Sequence, residues 1–149
     1  MRQLKFRVWD KENNQWLFGY KSAGGFSIFG EVVMLGEFSH IPIEKLNNIE
    51  IMQFTGILDR KGKEVYEGDI ITARAVLENN TKDFLYKDVY CEVCWSDVNC
   101  AFELFELGDN GAMYQIYTDG YGRGDVDTES IEILGNRYET PNLLPKDDL

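Results

Sequence analysis

Val89-Tyr90-Cys91-Glu92-Val93-Cys94-Trp95-Ser96 alternates apolar and polar residues in the middle of the chain. Val89, Cys91, Val93 and Trp95 fall on one side of an extended chain, and Tyr90, Glu92, Cys94 and Ser96 on the other, which is the period of a strand with one buried face. Downstream, Asn110-Gly111 is a hairpin signal between residues 101–107 and 113–117, with Asp109 and Ala112 able to lengthen the loop. Residues 130–134 suit a final short strand, which Gly135 is expected to end. Upstream, Asp59-Arg60-Lys61-Gly62 and Tyr66-Glu67-Gly68-Asp69 have the composition of tight turns, the second directly before the apolar pair Ile70-Ile71.

The N-terminal stretch reads the same way. Leu4, Phe6 and Val8 alternate with Lys5, Arg7 and Trp9, which predicts a strand with one buried and one wet face. A polar turn at residues 10–14 leads into Trp16, Phe18 and Tyr20, so the first twenty residues form a hairpin, broken by Ala23-Gly24-Gly25. Residues 26–35 supply one or two more strands with Gly30 at a bend, and a short helix is expected around residues 43–48, where Pro42 suits a first turn. The pattern therefore predicts a mainly β chain: an N-terminal β-hairpin segment (1–58), an acidic barrel-like or sandwich part (59–139) and a flexible tail (140–149), with at most one or two short helices.

Composition narrows the function classes. With 44% hydrophobic and 13% aromatic residues among 149, there is enough apolar area to form a core. No apolar run approaches the roughly 20 residues needed to cross a bilayer, and the opening Met1-Arg2-Gln3-Leu4-Lys5-Phe6-Arg7 lacks the apolar centre of a secretory signal. An odd number of cysteines, three, agrees with a reducing cytoplasm.

The charge of −11 is unevenly placed. Residues 1–58 hold six basic and six acidic side chains, and residues 59–149 hold nine and twenty. A surface that negative repels phosphate, which argues against direct binding of nucleic acid.

Four stretches carry a family likeness: Lys5-Phe6-Arg7-Val8-Trp9-Asp10-Lys11-Glu12, Met52-Gln53-Phe54-Thr55-Gly56, residues 59–71, and Ile131-Glu132-Ile133-Leu134-Gly135-Asn136-Arg137-Tyr138-Glu139. In order and spacing they resemble the YopX family of small proteins encoded by phages and prophages. The segment Gly62-Lys63-Glu64-Val65-Tyr66-Glu67-Gly68-Asp69 is the most specific. The resemblance implies a mostly β fold, a barrel-like C-terminal part and residence in the cytoplasm of a bacterial host cell. It implies no activity, cofactor or catalytic residue.

Chemistry-bearing motifs are sparse. Cys91 and Cys94 have Cys-x-x-Cys spacing with Cys100 close behind, but a strand puts the pair on opposite faces, against both a zinc site and a redox motif. His40 is the single histidine and lacks a nearby partner. Asp119, Asp125, Asp127 and Glu129 lie among glycines without EF-hand spacing, and Gly120-Tyr121-Gly122-Arg123-Gly124 lacks the lysine and helix of a phosphate loop. Arg123-Gly124-Asp125 spells an adhesion tripeptide that has no role inside a cytoplasm. No motif supports an enzyme, a metal or a cofactor.

Two surfaces are candidates. Trp9, Trp16, Phe18 and Tyr20, with Phe26 and Phe29, are more aromatic side chains than one small sheet hides, which predicts a homo-oligomer. Glu92, Glu103, Glu106, Asp109, Asp125 and Asp127 form the second, a line of carboxylates able to imitate nucleic acid before a basic host protein. A third reading is an enzyme built on dispersed carboxylates.

Overall fold

The computed structural model describes residues 5–18, 26–29, 32–35, 39–42, 48–77, 85–108, 111–116 and 126–145. The chain is mainly β, as its alternation predicts. It divides into two compact units, Met1–Gly56 and Ile57–Leu149. The expected boundary after residue 58 falls at the end of a strand that crosses this division.

In the first unit, β1 (Phe6–Asp10) forms an antiparallel hairpin with β2 (Gln15–Phe18) and pairs on its other side with β6 (Ile49–Leu58). Asp10 builds the hairpin turn: one carboxylate oxygen accepts the Glu12 and Asn13 N–H groups at 2.9 and 3.1 Å, and the other accepts the Asn13 amide at 2.7 Å. The prediction of one wet face on β1 is corrected, since Arg7 and Trp9 are as buried as Val8. Trp16 explains part of the cover: its ring packs edge-on against Trp9 at 4.9 Å, and the Arg7 guanidinium stacks over it at 4.9 Å.

Strands β3 (Phe26–Phe29), β4 (Val32–Leu35) and β5 (Ser39–Pro42) form an antiparallel meander in that order. Pro42 pairs with Val32 at the end of β5. Residues 43–47 of the expected helix lie outside the described residues.

The second unit opens with the end of β6, the turn at Asp59–Gly62 and β7 (Glu64–Tyr66). A five-stranded antiparallel sheet follows: β8 (Asp69–Leu77), β9 (Leu85–Ser96), β10 (Ala101–Glu106), β11 (Met113–Gln115) and β12 (Val126–Asn136), in the order β11-β10-β9-β8-β12, curled into a half-barrel. Both predicted turns are present. Gly62 and Gly68 have φ of +79° and +76°, a region that favours residues without a β-carbon. Asp69, buried, accepts the Tyr66 N–H at 2.8 Å.

Alternation places Val89, Cys91 and Val93 of β9 on the inner face, where they join Ile71, Ala73, Leu104, Tyr114, Val126 and Ile131. Each fully buried aliphatic side chain here contributes roughly 1.5–3 kcal/mol of transfer free energy.

The expected fraying from Thr140 is corrected up to Pro145. Residues Pro141–Leu143 make a 3-10 turn, and Leu144 is buried against Ile70 and Leu107. Tyr90 donates its hydroxyl proton to the Leu143 carbonyl at 2.7 Å, which ties the tail to β9. Gly135, expected to end the last strand, sits inside β12 at a register shift. Among the described residues no helix is long and apolar enough to cross a membrane.

Candidate interaction surface

The cysteine pair falls as the strand pattern requires. Cys91 is in the core, where burial, and next the Glu106 charge, push its thiol up to about 12. Cys94 faces the other way and donates to the Glu103 carbonyl at 3.6 Å, its thiol raised by burial and then by Glu92, Glu103 and Glu67. Both stay protonated near neutral pH and are poor nucleophiles. Among the described residues no group of three His, Cys, Asp or Glu side chains converges as a metal site.

The acidic candidates are divided by their surroundings, and two of them are corrected. Glu106 sits on the inner face of β10, buried, where it accepts the Tyr114 hydroxyl at 2.8 Å and the Lys87 ammonium at 2.5 Å. Burial pushes its carboxyl up, but hydrogen bonds from Lys87 and Tyr114 outweigh this and hold it below the usual range. Glu103 is buried too, with the Asn99 amide 2.6 Å from its carboxylate. Neither can face a partner, because each answers a donor of its own chain.

Glu92 is paired with Arg137 at 2.8 Å. Asp127 caps a local turn, accepting the Glu129 N–H at 3.1 Å. Asp109, Asp125 and Tyr20 lie outside the described residues, as do residues 117–125, which include most of the expected glycine-rich loop. Phe18 stands opposite Val8 in the first hairpin, and Trp9 is buried and therefore unavailable as surface.

A bulge in β12 borders a groove. Asp127 pairs with Arg74, yet the next paired residue of β12 is Glu132, opposite Thr72, so the intervening residues loop out of the ladder. Ser130 repairs the gap: its hydroxyl accepts the Arg74 N–H at 2.7 Å and donates to the Asp127 carbonyl at 2.6 Å. A groove of about 580 Å³ opens beside it, lined by Arg60, Thr72, Arg74, Asp88, Asp127 and Ser130 among others. Arg60 is held by Glu132, and Asp88 is 90% exposed, 3.9 Å from Arg74.

Sequence reading missed the exposed apolar side chains of the second unit. Val98 is 91% exposed at the tip of the β9–β10 hairpin, Trp95 beside it is 44% exposed, and Phe105 and Met113 are neighbours across β10 and β11. Trp95 has the period of an inner-face residue, and only its place at the end of a long strand leaves it half in solvent. Val98 carried no periodic signal because it stands in the turn.

The family model for the YopX protein matches residues 5–145. The chain belongs to the YopX family. The match spans both units of the YopX chain, from β1 through the packed tail. A solved structure titled "Crystal structure of protein EF1440 from Enterococcus faecalis" is similar at 23% identity, with a TM-score of 0.53 over 95% of this chain and 98% of that one. That likeness shows the fold alone. No curated protein matches the chain.

Proposed function

We propose that this YopX protein is a phage or prophage accessory protein that works by protein–protein contact rather than by catalysis. The observation that carries this reading is the apolar surface of the second unit, above all Val98 and Trp95, since large apolar side chains left in solvent mark association. The occupation of the buried titratable groups also supports it. Asp59, Asp69, Glu103 and Glu106 each accept hydrogen bonds that hold a turn or a strand.

Self-contact is assigned to the first unit. Residues 1–58 carry six basic and six acidic side chains, so like charge does not oppose the approach of a second copy there. Light scattering of the purified chain at micromolar concentration is expected to give a multiple of 17.2 kDa. A single 17.2 kDa species removes the self-contact. Nucleic-acid mimicry loses support, because Glu103 and Glu106 are buried and Glu92 is neutralised by Arg137.

A further inference from the structure

Residues 88–122 contain seven acidic side chains and no lysine, arginine or histidine. From Asp88 onward the β9–β10 hairpin lies within this stretch, and its tip, residues 95–101, holds one acid, Asp97, and no basic side chain beside its exposed apolar ones. Val98 and Trp95 present the apolar area, and Asp97 is exposed between them.

The tip is held rigidly. Asn99 donates its N–H to Ser96 Oγ at 3.3 Å and its side-chain amide to Glu103 at 2.6 Å, and the Cys100 thiol donates to the Asp97 carbonyl at 3.6 Å. Trp95 is fixed by an edge-to-face contact with Phe102, its cross-strand partner, at 5.1 Å. Cys100 holds a left-handed backbone with φ of +49°, a conformation that costs a non-glycine residue energy and persists only where the surroundings impose it. An exposed aromatic side chain on a preformed hairpin loses little freedom on binding, which is the economy of a contact built before its partner arrives.

We propose that this tip is a docking knob, seating Val98 and Trp95 in an apolar pocket rimmed by basic side chains on a protein other than this chain. Charge selects the partner. Asp97 is the one charged side chain of the tip, so a basic rim answers it, and two tips of this chain, each acidic, do not pair with one another. This inference rests on the protein-contact reading and names its surface.

The test uses the full-length chain as bait in lysate of its natural host, followed by purification of the retained protein and titration against variants. Val98→Ser, at a position 91% exposed, leaves the fold intact and weakens binding roughly tenfold, and with Trp95→Ala about a hundredfold. Asp97→Asn weakens binding at low salt and has little effect at high salt. Leu134→Ser, an exposed apolar position on β12, changes nothing. A purified partner that binds Val98→Ser and Trp95→Ala as tightly as the unaltered chain overturns the knob while leaving protein contact standing. A chain that retains no protein and scatters light as a monomer overturns both.

Discussion

Gly135→Ala is expected to cost about 3 kcal/mol and to lower the melting midpoint of the second unit by roughly 15 °C. A β-carbon at Gly135 would lie 2.1 Å from Thr140 Oγ1, 3.0 Å from Thr140 Cβ and 3.1 Å from Leu143 Cδ1. Thr140 cannot simply turn away. Its hydroxyl accepts the Asn136 N–H at 3.0 Å and donates to the Asn136 carbonyl at 2.8 Å, and its own N–H donates to the same carbonyl. The clash therefore breaks the loop that carries Leu144 into its cluster with Ile70 and Leu107. Combining Gly135→Ala with Thr140→Gly should recover part of the loss, since the two positions touch and their effects cannot add. Thermal unfolding of the single and double variants checks this, and an unshifted midpoint for Gly135→Ala would falsify the packing of the tail.

Asp59→Ala is expected to cost a comparable amount, about 3 kcal/mol. Asp59 is buried, and Oδ1 accepts the Lys61 and Lys63 N–H groups at 2.8 Å each while Oδ2 accepts the Ile133 N–H at 3.4 Å. One carboxylate thus closes the β6–β7 turn and fastens it to β12. Alanine leaves those donors without their acceptor. The same geometry sets a pH dependence. Burial pushes the carboxyl up, but the N–H groups of Lys63, Lys61 and Ile133, with the Lys63 charge, outweigh it and hold Asp59 below the ordinary 3.8. A depressed folded value means that this stabilisation is complete above the unfolded value and disappears as the pH falls through the folded one. Denaturant titrations carried from pH 7 to pH 2 should show this contribution intact above about pH 5 and lost as the pH falls below 3.8, and Asp59→Asn should flatten that loss. A profile identical in the two proteins would mean that the charge of Asp59 does nothing for the fold.

Much of this architecture is legible in the sequence because it is local. The two-residue period of Val89 to Val93 and the glycines at positions 62, 68 and 111 each encode geometry within a few residues. The errors came where long-range packing decides. Arg7 and Trp9 look like a wet face until Trp16 returns beside them. The tail from Thr140 has the composition of a loose end, and only the distant Ile70 and Tyr90 reveal why it packs.

The candidate surface was less legible than the fold. Glu103 and Glu106 look like surface acids, because nothing in their spacing announces that Asn99, Lys87 and Tyr114 will answer them. Val98 shows the opposite failure: one apolar residue in a turn carries no pattern, and its exposure emerges only when both strands are in register.

Hydrogen exchange of the full-length chain, alone and bound to its purified partner, tests most directly the claim that this protein acts through the β9–β10 tip. The amides of residues 95–101 are expected to slow on binding, while those lining the groove beside Arg74 and Ser130 stay unchanged. Protection of the groove with the tip left free would contradict it.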